Sequence, residues 1–268
     1  FYVAARARGV KPIAGCDVWI SNDVDRDKPH RLLLLCQNHA GYLRLCTLLT
    51  QAYRSNRYRG RAELRKSWFG EGGTAGLIAL SGAHLGDVGQ ALCVDNMRLA
   101  RELAGEWAAL FPNRYYIELQ RLGAGAMTTG GAAVPVESCV QRALHLASEL
   151  GLPPVATHPV QFVRPDDFRA HEARVCISEG YMLADQRRPK TFGREQYFKT
   201  QAEMVELFSD IPEALANAVE IAKRCTLKLV LGKSQLPRFP TPDGVGLDDY
   251  LKGRSREGLD GRLVALYP

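Results

Sequence analysis

Four side chains stand where a parallel α/β sheet would put chemistry. Asp17 lies in the first strand-like run and Glu118 in a later one, while His84 and His158 follow two others. In such architectures ligands gather at the carboxyl ends of the strands. Carboxylate oxygens and imidazole nitrogens delivered there from successive strands suit a divalent-metal hydrolase, in which the metal polarises a phosphoryl oxygen and acidifies a bound water. None of the four has a tight ligand spacing such as His-x-His, and six histidines in 268 residues place one or two at strand ends by chance. The pattern admits a metal site, but plain polar strand ends are the stronger reading.

Residues 53–66 offer a different chemistry. Arg54, Arg57, Arg59, Arg61, Arg65 and Lys66 stand against Glu63 alone, with Tyr53 and Tyr58 interleaved. Guanidinium groups hold phosphates, and aromatic rings stack on bases. The same face suits a partner's acidic surface. A second basic run (Arg187, Arg188, Lys190, Arg194) is diluted by Asp185 and Glu195. There is no Gly-x-x-x-x-Gly-Lys phosphate loop, no Gly-x-Ser-x-Gly elbow and no Rossmann glycine fingerprint.

The elements that must position these residues follow from periodicity. Short apolar runs at 11–20, 31–36, 76–80, 114–120 and 154–157 read as strands. Between and after them, 41–53, 96–110, 136–150 and 166–178 carry helical patterns, with Tyr42, Leu45, Leu49 and Ala52 forming one stripe. Repeated β-then-α units predict a parallel sheet with helices outside, open or closed into a barrel. Asp210 with Glu213 three residues on predicts a capping box, Pro212 suits the first turn, and Lys223 and Arg224 close the helix. The Gly-rich stretch 123–134 reads as a surface loop. The Pro- and Gly-rich stretch 232–246 reads as a domain boundary, after which 247–266 is helical. The opening FYVAARARG reads as the last turns of a helix capped by Gly9, so the chain reads as a piece of a longer protein.

Composition excludes several classes. With 46% hydrophobic and 24% charged residues the chain has enough apolar mass for a core. No run approaches the ~18 apolar residues of a membrane span. The net charge of +6 permits polyanion contact without demanding it. Seven cysteines with no Cys-x-x-Cys pair suggest neither a zinc ribbon nor a disulfide framework, and a reducing, cytoplasmic setting is the simpler reading.

Several segments resemble the PHP (polymerase and histidinol phosphatase) domain of bacterial replicative DNA polymerase III alpha subunits. They are GVKPIAGCDV (9–18), GLIALSGAHLGDVGQAL (76–92), FPNRYYIELQ (111–120), FRAHEARVCISEG (168–180) and DIPEALANAVEIAKRC (210–225), followed by LPRFPTPDG (236–244) and DDYLKGRSREGL (248–259). The resemblance implies a distorted (β/α)7 PHP barrel over 1–232, truncated before its first strand, with 233–268 as the linker and first helix leading into the polymerase palm. It implies DNA-directed DNA synthesis for the parent protein, a nucleotidyl transfer in chromosomal replication. The Mg²⁺-binding palm carboxylates would lie beyond Pro268, and the family's first metal motif before Phe1. The stretches 57–68 and 82–89 look more like the replicative form than the error-prone paralogue.

The family's metal positions carry over one at a time. Asp17 keeps the acid of the Gly-x-Glu/Asp turn. Leu122 stands where relatives have a histidine, and His158, Pro159, Val160 and Gln161 stand in place of Asn-Asp-x-His. An acid and two histidines are missing, so the resemblance implies a lost PHP metal, with Asp17 and His158 as a residual pair. It then implies a non-catalytic scaffold that supports the polymerase, docks the proofreading exonuclease beside other replicase subunits, and meets DNA through the parent protein. Arg54 to Lys66 form the candidate partner or DNA surface. The alternative is an active metal-dependent PHP phosphoesterase or 3′–5′ exonuclease.

Overall fold

The computed structural model describes residues 1–122, 126–129, 132–188, 190–234, 239–242 and 244–267. They fall into two compact units, Phe1–Lys228 and Leu229–Pro268. The first opens with α1 (Tyr2–Ala7), ended by Arg8 and by Gly9 at φ +71°. Then come β1 (Gly15–Ile20), β2 (His30–Cys36), α2 (His39–Ser55), β3 (Arg57–Tyr58), β4 (Arg61–Leu64), α3 (Ser67–Gly72) and β5 (Leu77–Leu80). After a 3₁₀ turn (Ala83–Leu85) follow α4 (Asp87–Cys93), α5 (Met97–Leu110), β6 (Tyr115–Gln120), β7 (Ala126–Thr129), β8 (Ala132–Pro135), α6 (Val136–Leu150) and β9 (Pro154–Thr157). The unit closes with α7 (Phe168–Glu179), α8 (Gln201–Leu207) and α9 (Pro212–Arg224). The second unit carries α10 (Leu247–Leu266), which buries no residue within it.

Seven strands form one sheet in the order β3-β4-β1-β2-β5-β6-β9. The architecture is mixed α/β, as the resemblance implies, but β3 and β9 are the two ends of the sheet and it does not close. Nor is it wholly parallel. β2 runs antiparallel to both β1 and β5, while β1–β4, β5–β6 and β6–β9 are parallel. The cause is the link between β1 and β2. Asn22 Oδ1 accepts from the N–H groups of Val24 and Asp25 (3.0 and 3.2 Å), turning the chain straight back. A parallel return would need a crossover of a dozen residues or more.

Both faces of the sheet are covered, so all four residues of β5 are buried. On one face Ile221 and Cys225, at the end of α9, pack with Ile78, Leu80, Tyr116 and Val155. Elsewhere Phe69, Trp107, Phe111 and Tyr115 form an aromatic cluster, with Phe69 edge-on to Trp107 at 5.6 Å.

Two further expectations are corrected. The stretch 123–134 is not a plain loop: β7 and β8 pair antiparallel there, Ala126 opposite Pro135 and Thr129 opposite Ala132. Residues 123–125, 130 and 131 of that stretch lie outside the described residues. The capping box at Asp210 does not form either. The residue before α9 is Ile211, with no side-chain cap. The Asp210 carboxylate is instead taken by Arg121 (2.5 and 2.8 Å), which also grips Glu137 and the Leu207 carbonyl. A two-point guanidinium contact outcompetes a single bond to a backbone N–H.

Candidate functional site

A polar cleft of roughly 240 Å³ opens beside the middle of the sheet, and Asp17, Arg31, Glu118, Gln120, Thr157 and His158 line it. The strand register explains the grouping. Arg31, Leu33 and Leu35 share one face of β2, while Leu32, Leu34 and Cys36 are buried on the other. Asp17 pairs with Leu33 and therefore sits diagonally from Arg31. Their side chains meet in an ion pair, Arg31 to Asp17 Oδ2. The turn after β5 packs directly on this strand. Gly82 has φ +79°, and a Cβ there would lie 2.2 Å from the Arg31 carbonyl oxygen, so only glycine fits.

Glu118 enters from β6 and is buried. Its Oε1 accepts from Thr157 Oγ1 (2.5 Å) and Gln120 Nε2 (3.0 Å), and its backbone N–H donates to Ser81 Oγ (2.9 Å). Burial pushes its carboxyl above the ordinary range; the bonds from Thr157 and Gln120 oppose this, and the nearby Asp17 charge adds to it. His158 sits at the cleft with Nε2 2.7 Å from the Glu195 carbonyl oxygen, and burial lowers its pKa. His84 lies apart from this cleft. It borders a neighbouring apolar cavity that Glu118 also lines, and burial followed by the Arg31 charge lowers its pKa.

Of the four residues with metal-site chemistry, the fold therefore brings Asp17, Glu118 and His158 to one cleft and leaves His84 beside it. Each of these three side chains already has a partner at the cleft. Arg31 engages Asp17, neutral donors meet Glu118 at Oε1, and the Nε2 of His158 faces a carbonyl. Among the described residues no three His, Cys, Asp or Glu side chains group so as to hold a metal ion. Arg31 is the residue that motif reasoning missed. Its signal was a charge in register with Leu33 and Leu35, on an otherwise apolar strand face.

Residues 53–66 separate into two kinds. Tyr58 and Arg61 pair across a two-residue turn, Arg59 at φ +47° and Gly60 at φ +83°, the signs a type I′ hairpin requires. Behind it Glu63 is wholly buried, held by Arg61 (2.7 Å), Arg26 (3.1 Å) and Ser21 (3.0 Å). Burial alone would raise its pKa; the bonds from Arg61, Arg26 and Ser21 outweigh that and lower it. Arg59 pairs with Asp27 (2.9 Å), and Lys66 with Glu106 (2.6 Å) while lying over the Trp107 ring. Arg54, Arg57 and Arg65 are exposed and have no ion pair among the described residues.

The PHP domain family model matches residues 1–122, from α1 to the turn after β6. Residues 1–122 carry a PHP domain. The chain is 52% identical over its whole length to DNA polymerase III subunit alpha of Neisseria meningitidis serogroup A, covering 23% of that protein. It is 44% identical to the same-named protein of Pseudomonas aeruginosa and 41% to that of Escherichia coli K12, covering 22% of each. The chain thus spans less than a quarter of the length of these relatives, and it matches their N-terminal part. Among the described residues of the PHP domain and beyond, no helix is long and apolar enough to cross a membrane.

Proposed function

We propose that this chain is the PHP portion of a DNA polymerase III alpha subunit and that its own role is architectural. The parent protein would carry out DNA-directed DNA synthesis in chromosomal replication, in the cytoplasm, with Mg²⁺ and the reacting carboxylates held elsewhere in the subunit. One observation supports the architectural role most: the Arg31 guanidinium is ion-paired to Asp17 inside the cleft where a PHP metal would need that acid. A resident cation repels an incoming one and leaves one fewer free carboxylate to hold it.

The exposed, unpaired Arg54, Arg57 and Arg65 suit a partner's acidic surface. In this reading they dock the proofreading exonuclease, alongside contacts with other replicase subunits and, through the parent protein, with DNA. Arg59, Arg61 and Lys66 of the same stretch serve local ion pairs. The test uses the full-length subunit. Arg54→Glu, Arg57→Glu and Arg65→Glu together should weaken exonuclease binding at least tenfold while primer extension persists. Unchanged binding removes this surface from the reading, and chelator-sensitive digestion of primer ends by the purified subunit overturns the architectural role.

A further inference from the structure

We propose that Cys93 and Cys139 form a dithiol that closes to an intramolecular disulfide under peroxide, making this pair an oxidative modification site. Seven cysteines are free thiols, and this pair alone among the described residues has its sulfurs in contact, Sγ to Sγ 2.8 Å. Cys93 ends α4 and Cys139 lies in the first turns of α6. Both are buried.

The backbone around the pair is held in place. Arg142, three residues after Cys139, donates to the carbonyl of Leu92, the neighbour of Cys93, at 2.8 Å, and pairs with Asp95 at 3.0 Å. This clamp fixes α6 against the end of α4, so the thiols need no search to meet. Holding two reacting groups at such a distance replaces a bimolecular encounter with a unimolecular one. Cys139 also borders a cavity of roughly 30 Å³, about one water's worth of space.

The chemistry closes without further reagents. The Cys139 thiol gives up its proton and its sulfur attacks one peroxide oxygen; the S–O bond forms, the O–O bond breaks, and the departing hydroxide takes the proton as water. The Cys93 sulfur then attacks the sulfenic sulfur. The S–S bond forms, the S–O bond breaks, and the second water leaves with the Cys93 proton. Two thiols and one peroxide become one disulfide and two waters. Burial and the neighbouring Cys93 push the Cys139 thiol up to about 12, which keeps thiolate scarce. Closure is therefore slow. Its product would tie α4 to α6, the helices that wall the cavity under Glu118.

Full-length protein should be held in hydrogen peroxide, blocked by alkylation and mapped as peptides without reduction. The expected result is a Cys93–Cys139 linked pair that grows over hours, reverts with dithiothreitol and is absent from Cys93→Ser. Arg142→Ala should slow its growth at least threefold, and hydrogen exchange in α4 and α6 should slow in the linked form. Recovery of both residues alkylated, Cys139 oxidised beyond sulfenic acid without a link, or linkage of either to a different cysteine would overturn the proposal. A rate untouched by Arg142→Ala would overturn the clamp's part in it.

Discussion

Glu63 and Glu118 are both buried glutamates of the same sheet, and their pKa values move in opposite directions. Glu63, on β4 near one end, is enclosed by Arg26, Arg61 and Ser21 and is held below its ordinary range. Glu118, on β6, is met by a hydroxyl and an amide and is pushed above it. Burial is common to the two; the partners decide the sign. Where two guanidiniums converge, the acid is committed to structure. Where neutral donors surround it beside an open cleft, its ionisation stays costly.

That contrast is broken most forcefully at Glu63. Arg61→Ala strips the closer guanidinium from a carboxylate with no access to water, and the expected loss is about 3 kcal/mol in urea unfolding. Arg31→Ala, in the open cleft, leaves Asp17 half exposed to solvent, so its expected cost is smaller, about 1 kcal/mol. Equal losses at the two sites would erase the distinction between an enclosed pair and an open one.

Titration sharpens the comparison further. The stabilisation from Glu63's depressed pKa is present above its unfolded value and is lost as pH falls through the folded one. For Glu118 the sign reverses: its raised pKa favours the fold at acid pH, and that advantage is lost as pH rises through the folded value. Glu118→Gln should therefore raise the melting temperature at pH 8 and change it little at pH 4. A gain at pH 4 with none at pH 8 contradicts the assignment. The smallest effect belongs to Arg57→Ala on the hairpin beside Arg61, which should shift stability by less than about 0.5 kcal/mol.

Periodicity located most of the scaffold. The helix over 136–150, the strand over 154–157 and the helix over 247–266 all form at the residues their patterns imply. Those signals are local, set by apolar spacing and flanking Gly or Pro. What periodicity could not carry was competition at a distance. Asp210 and Glu213 read as a capping box because the rule sees only neighbours, whereas Arg121 reaches Asp210 from 89 residues away. The β7–β8 pairing hid among the glycines and alanines of the stretch 123–133. The short β3–β4 hairpin hid behind its charges, which looked like a surface and proved partly to be Glu63's internal partners.

In the site, Asp17, Glu118 and His158 were legible as types at strand ends, and the fold brings them to one cleft. Arg31 was not, since no metal motif contains an arginine and its meaning depends on the β1–β2 register. The antiparallel return at Asn22 creates that register, setting Leu33 opposite Asp17 and Arg31 one diagonal away.

The cleft's charge is balanced by its own arginine. Elemental analysis of the purified full-length protein, after equilibration with Zn²⁺ and Mn²⁺ and removal of excess, measures this directly. The expected content attributable to this cleft is well below one metal ion per chain, with no change in Asp17→Ala. Stoichiometric metal that disappears in Asp17→Ala would contradict it.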